Sequence, residues 1–192
     1  TIPSSVREIE KGAFANCSGL TQVIFSGENN IEKIGERAFA NCKELTEISI
    51  GKNLTEAGSD IFDGCSKLEN VILEEGLEKI PAYLFQNCSG IKTIAIPSSV
   101  KAIGKRAFAN CKELTEVSYA GANNVEKIGK GAFANCTKLT GIGIGKNLAE
   151  VEEKQNGEED VFQGCVNLEN ITLEEGLEKI PAYLFQTYNL AQ

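Results

Sequence analysis

The 192-residue sequence has no histidine, no methionine, only four prolines, and no long apolar run. Without an imidazole there is no Cys–His or Ser–His pair, so nucleophilic catalysis of that kind is excluded. The same absence removes the histidine ligands of most zinc sites, and no C-x-x-C pair supplies the alternative. No stretch approaches the roughly 18 apolar residues of a spanning helix, so no membrane insertion is expected. Basic residues are in deficit, 19 against 27 acidic, and the net charge of −8 argues against nucleic acid and anionic lipid as partners. The opening Thr1-Ile2-Pro3 aligns with the strand end Ile94-Ala95-Ile96-Pro97. Together with the missing methionine, this implies a mature or excised fragment that starts inside a repeat.

What the sequence does have is a repeat, read from its cysteines. Cys17, Cys42, Cys65, Cys88, Cys111, Cys136 and Cys165 follow at intervals of 25, 23, 23, 23, 25 and 29 residues, each three residues after a phenylalanine. An eighth phenylalanine, Phe185, keeps the spacing, with Tyr188 in place of its cysteine. Downstream of each cysteine comes L-x-x-I-x-I, then a turn, then L/V-x-x-I, then A-F-x-x-C. The period lies within the 20–29 residues of leucine-rich repeats. A longer period overlies it: a four-coil block at residues 2–94 returns at 96–186, with IPSSV, AFANCKELTE, IGKNL and LEEGLEKIPAYLFQ recurring.

These patterns predict an α/β solenoid over residues 1–192, a single domain of about eight coils with the first and last incomplete. In Leu45-Thr46-Glu47-Ile48-Ser49-Ile50, Ile48 and Ile50 should point inward and Glu47 and Ser49 outward. The strands should pair in parallel from coil to coil, because one coil cannot bury its own apolar side. The short segment around each A-F, such as Lys105–Asn110, is expected to form one helical turn. The cysteines read as reduced, small core side chains, since seven is an odd number and equivalent positions point the same way.

The consensus I-P-S-S-V-x-x-I-G-x-x-A-F-A-N-C-x-x-L-x-x-I resembles the BspA-type leucine-rich repeat. It is carried by Ile96-Pro97-Ser98-Ser99-Val100, Ile103-Gly104, Ala107-Phe108, Cys111, Leu114, Val117 and Tyr119. The resemblance spans essentially the whole chain. It implies a curved right-handed superhelix with strands on the concave face, and a secreted or surface-attached protein of a family linked to adhesion. It supplies no catalytic residue and no ligand site. Two departures are Ala57, where isoleucine is usual, and an insertion at 152–160.

The candidate binding face is therefore the outward side of the strands: Glu47 and Ser49, Glu69 and Ile72, Lys92 and Thr93, Glu116 and Ser118, Glu169 and Thr172. Its small, mildly acidic residues suit an extended contact with a basic protein. A host matrix or surface protein is the expected partner, and extracellular or cell-surface the expected location. The other reading is a rigid spacer displaying further domains of a longer protein. No enzyme activity and no cofactor are expected. The insertion carries five carboxylates in nine residues but no D-x-D-x-D-G loop, so it reads as a solvated charge run rather than a calcium site. The ends of the stack leave strand edges open, and end-to-end pairing of two copies is the expected oligomer.

Overall fold

The computed structural model describes residues 1–152 and 160–185. Most of the insertion (153–159) and the last residues, Tyr188 among them, lie outside this range.

Each coil but the last contributes two strands among the described residues. In chain order the first eight are β1 (Ile2–Pro3), β2 (Glu8–Ile9), β3 (Phe25–Ser26), β4 (Lys33–Ile34), β5 (Glu47–Ile50), β6 (Glu56–Ala57), β7 (Asn70–Leu73) and β8 (Lys79–Ile80). The remainder are β9 (Thr93–Pro97), β10 (Ala102–Ile103), β11 (Glu116–Ala120), β12 (Lys127–Ile128), β13 (Gly141–Ile144), β14 (Glu150–Val151) and β15 (Asn170–Leu173). All pairings are parallel, and they join equivalent positions of successive coils, as Glu47 with Asn70 and Ile48 with Val71.

The odd-numbered strands are the L-x-x-I-x-I segments read from the sequence. Ile48, Ile50, Ile94, Ile96, Ile142 and Ile144 point inward and are buried. The full ladder hydrogen bonding is concentrated in the pairs β1–β3, β5–β7, β9–β11 and β13–β15. The even-numbered strands form a second ladder that the periodicity did not foretell. It runs β2–β4–β6 and, separately, β8–β10–β12–β14. The gap falls at Pro81. Gly58, Gly104 and Gly129 at the same place in their coils each donate a backbone bond to the coil before, and proline has no N–H to do so.

The expected helical turns are absent: among the described residues there is no helix. The reason lies on either side of each phenylalanine. Around the six from Phe14 to Phe133 the residues two before and two after are left-handed, as at Arg37 and Asn41 around Phe39, and Arg106 and Asn110 around Phe108. A left-handed residue every fourth position cannot continue a right-handed helix. It turns alternate amides outward along the stack, so that Phe39 N–H meets Ile61 C=O and Asn41 N–H meets Asp63 C=O of the following coil. The fold is thus an all-β parallel solenoid, zipped by backbone hydrogen bonds on up to three sides of a coil and interrupted on the second ladder at Pro81.

The core is one continuous cluster along the stack. Eight phenylalanine rings, Phe14 to Phe185, stack with centroids 5.0 to 6.0 Å apart and planes within 16°. The widest step, Phe62 to Phe85 at 6.0 Å, is at the Pro81 seam. All seven cysteines are free thiols, and they do more than fill space. Cys65 Sγ donates to Phe39 C=O at 3.1 Å, and Cys111, Cys136 and Cys165 repeat the contact. Each such carbonyl also accepts its own coil's Cys N–H, so both lone pairs are used. Burial pushes the Cys65 and Cys111 thiols up to about 12.

Candidate functional site

The strands present an outward face with two columns of side chains. Pairing aligns Glu47 with Asn70, Thr93 with Glu116, and Gly141 with Asn170 in the first column. In the second it aligns Ser49 with Ile72, Ala95 with Ser118, and Gly143 with Thr172. The structure therefore gathers Glu47, Ser49, Ile72, Thr93, Glu116, Ser118 and Thr172 on one surface. Their exposure is uneven. Ile72 is 48% exposed, whereas Glu47, Ser49 and Ser118 are half-buried. Glu69, Lys92 and Glu169 stand one residue before their strands, at the border of the face.

Local bonds decide which of these groups remain available. Glu69 and Lys92 hold each other at 2.9 Å, and that hydrogen bond raises the Lys92 ammonium above its ordinary value. Ser49 Oγ donates to Glu74 Oε1 at 3.0 Å. Thr115 Oγ1 donates to Lys92 C=O at 3.0 Å, Thr140 Oγ1 to Thr115 C=O at 3.4 Å, and Ser118 Oγ to Ile94 C=O at 3.4 Å. A hydroxyl whose one proton is spent on a carbonyl faces outward only as an acceptor. Glu116 has no cationic partner among the described residues. Several other carboxylates are paired with a lysine of a neighbouring coil: Glu36, Glu44, Glu113 and Glu150 at 2.7 to 2.9 Å. Such exposed pairs contribute about 0–1 kcal/mol each, so they mark register more than they hold the stack.

A feature the outward-residue reading passed over lies at β13. Its two outward positions are Gly141 and Gly143, and the surface drops there into an open trough of about 430 Å³. Thr115, Glu116, Thr140, Asn170 and Thr172 line it. Beside it, Tyr119 OH donates to Gly143 C=O at 3.0 Å, and burial pushes the phenol up to about 12. The sequence did contain a signal, because the matching coil of the first block carries Glu47 and Ser49 where this one carries glycines.

Among the described residues no cluster of three or more His, Cys, Asp or Glu could hold a metal ion, and no helix is long and apolar enough to cross a membrane. Burial pushes Cys65, Cys88 and Cys111 toward the protonated thiol, the opposite of nucleophile activation.

Parallel strands in register, a strand-forming L-x-x-I-x-I repeat and a phenylalanine spine define a leucine-rich repeat protein. More narrowly, residues 1–115 and 113–192 match the BspA type leucine-rich repeat region in six copies, and the chain belongs to that family. No curated protein matches it. Among solved structures it is similar to the Treponema pallidum leucine-rich repeat protein, at 27% identity and a TM-score of 0.60, over 85% of this chain and 68% of that one. A leucine-rich repeat protein of Eubacterium ventriosum matches at 24% and 0.65, over 94% of this chain and 44% of that one. One from Bacteroides ovatus matches at 23% and 0.58, over 97% and 57% respectively. The chain thus spans about half the length of the latter two. Repeats of this type are protein-interaction scaffolds.

Proposed function

We propose that the chain is a non-enzymatic protein-binding module of a secreted or cell-surface protein, which engages an extracellular protein through its outward strand face. The observation that carries this reading is where the two sequence blocks differ. Most inward positions recur, as Phe14 and Phe108, Cys17 and Cys111, Leu45 and Leu139, Ile48 and Ile142, and those that change stay apolar or aromatic, as Val71 to Ile171 and Phe25 to Tyr119. Outward strand positions do not. Gln22 is matched by Glu116, Ile24 by Ser118, Glu47 by Gly141, Ser49 by Gly143 and Ile72 by Thr172, while Asn70 and Asn170 agree, as do Glu69 and Glu169 at the border of the face. One scaffold therefore carries two different faces, each held rigid by inter-coil hydrogen bonds, as solenoid binding surfaces are. The extracellular location rests on the family resemblance, and the acidic balance favours a basic partner.

The experiment is capture of extracellular matrix and cell-surface proteins with the 192-residue chain, repeated with Glu47, Glu69 and Glu116 all changed to Lys. Capture that weakens at least about tenfold, with thermal stability unchanged, is the expected result. Equal capture by the reversed-charge chain removes the strand face. A chain that captures nothing acts as a spacer.

A further inference from the structure

We propose that the trough over β13 seats a cationic side chain, lysine or arginine, projecting from the protein that docks on the strand face. This deepens the function proposed above and rests on it.

The fold does not need the two glycines. Neither lies in the left-handed region. A Cβ on Gly141 would sit 3.4 Å from Asn170 O, and one on Gly143 would sit 3.6 Å from Tyr119 Cε2. Both distances accommodate a methyl group with little adjustment. The contrast is Gly58 or Gly104, where a Cβ would run into the backbone of Glu36 or Ala82 in the preceding coil. Glycine in a strand interior is less stable there than alanine, and in strands it marks places where something approaches closely. The matching strand, β5, keeps the same pairing with Glu47 and Ser49 in those positions. The lowered floor is therefore a property of this coil and not of the repeat.

The chemistry around the floor selects the occupant. Flanking strands on either side of β13 are about 9.6 Å apart, two strand spacings, which is wide enough for an extended side chain between the walls. Thr115 and Thr140 have donated their protons to carbonyls and offer only lone pairs to the trough. Glu116 adds an exposed carboxylate with no cation beside it among the described residues. Asn170 and Thr172 on the far wall can donate or accept, so the charge of the trough is set by Glu116 and favours a donor-rich cation. One carboxylate is too few for a divalent metal, which takes six or more oxygens in calcium sites. In the first block the corresponding surface is filled by Glu47 and Ser49 between the exposed Ile24 and Ile72, so the same occupant would find no room there.

The test is a titration of the isotopically labelled 192-residue chain, followed by amide chemical shifts, with the peptide acetyl-Gly-Gly-Arg-Gly-Gly-amide. The control is the same peptide with citrulline, which keeps the shape and loses the charge. Shifts should centre on Gly141, Gly143, Glu116 and Asn170, and the citrulline peptide should bind at least about tenfold more weakly. Glu116→Gln should weaken the arginine peptide by a similar factor. Gly141→Ala with Gly143→Ala should leave the melting temperature unchanged or raised and weaken binding about fivefold or more, which separates filling the trough from unfolding. No shift at about 10 mM peptide overturns the trough, while the strand face stands or falls on the capture experiment above. Shifts centred on Glu47 and Ser49 overturn the trough and keep the face. Equal binding of the citrulline peptide overturns the cation, and concentration-dependent shifts at the trough without peptide assign it to a second copy of the chain.

Discussion

Phe14 and Phe108 occupy the same place in two nearly identical stretches of sequence, yet the chain surrounds them differently. Phe108 is fully buried between Phe85 at 5.4 Å and Phe133 at 5.3 Å. Phe14 is half-buried and stacks on Phe39 alone. The cysteines repeat the contrast, with Cys17 exposed and Cys111 buried. A coil's sequence sets its own conformation, but its burial comes from the coils above and below. Stability in a solenoid is a nearest-neighbour property.

The sharpest way to break that statement is to truncate both rings. Phe108→Ala should cost about 3–5 kcal/mol in urea unfolding, the usual range for a buried phenylalanine. Phe14→Ala should cost roughly half as much, because half of its contacts are missing. Equal losses would mean that the rings contribute through their own coil and not through the stack.

Alkaline pH should bring a further, progressive loss of stability. The buried thiols of Cys65 and Cys111 hold their protons up to about 12 in the folded chain, against an ordinary value of 9.0. The folded state thus binds more protons than the unfolded state between those values. Their contribution is fully present below pH 9 and is lost as pH rises toward 12. Denaturant midpoints measured from pH 8 to 12 should fall over that window, and a double Cys65→Ala, Cys111→Ala chain should flatten the fall. At neutral pH without denaturant, an alkylating reagent should modify Cys17 and spare Cys111.

Much of this was legible because it is periodic. The phenylalanine and cysteine ladders, the inward Ile48 and Ile50 and the parallel stacking all follow from residues recurring at one spacing. The helical turn was misread because A-F-A-N-C was judged by its length. The informative residue was the asparagine or glycine two beyond each phenylalanine, from Asn16 and Asn41 to Gly64 and Gly164, a type that tolerates the left-handed region. Strands such as β4 and β12 escaped notice since two residues cannot display a period of two. The trough is harder still. Sequence shows glycine at 104, 141 and 143 alike, and only the Cβ clearances tell which of them the fold requires.

That distinction gives a smaller and sharper test. Gly104→Ala should destabilise by about 1–3 kcal/mol, because the new methyl meets the backbone of Ala82 and Pro81, which cannot withdraw as a side chain could. Gly143→Ala should stay within about 0.5 kcal/mol of the parent. The first block supplies the control. The position matching Gly104 is Glu10, and the coil there has no earlier coil beneath it among the described residues, so no preceding backbone excludes a side chain. A harmless Gly104→Ala would mean that the coils can separate by the width of a methyl group.

The smallest effect concerns one hydroxyl. In the second block Gly143 C=O accepts from Tyr119 OH at 3.0 Å and from Asn123 Nδ2 at 3.3 Å. In the first block Ser49 C=O accepts from Asn29 Nδ2 at 3.0 Å, and Phe25 stands where Tyr119 would be. A small void of about 10 Å³ lies beside Phe25, Asn29 and Ser49. Tyr119→Phe should therefore cost about 0.5–1.5 kcal/mol, the net value of a buried hydrogen bond whose acceptor keeps its other partner. Phe25→Tyr should return part of that amount in the first block, since the carbonyl has a lone pair free and the void adjoins the ring edge. Thermal unfolding of the two single variants and the double exchange would measure it. A loss on Phe25→Tyr would show that the first block, with fewer coils to press on it, cannot hold the ring in the position that Tyr119 keeps.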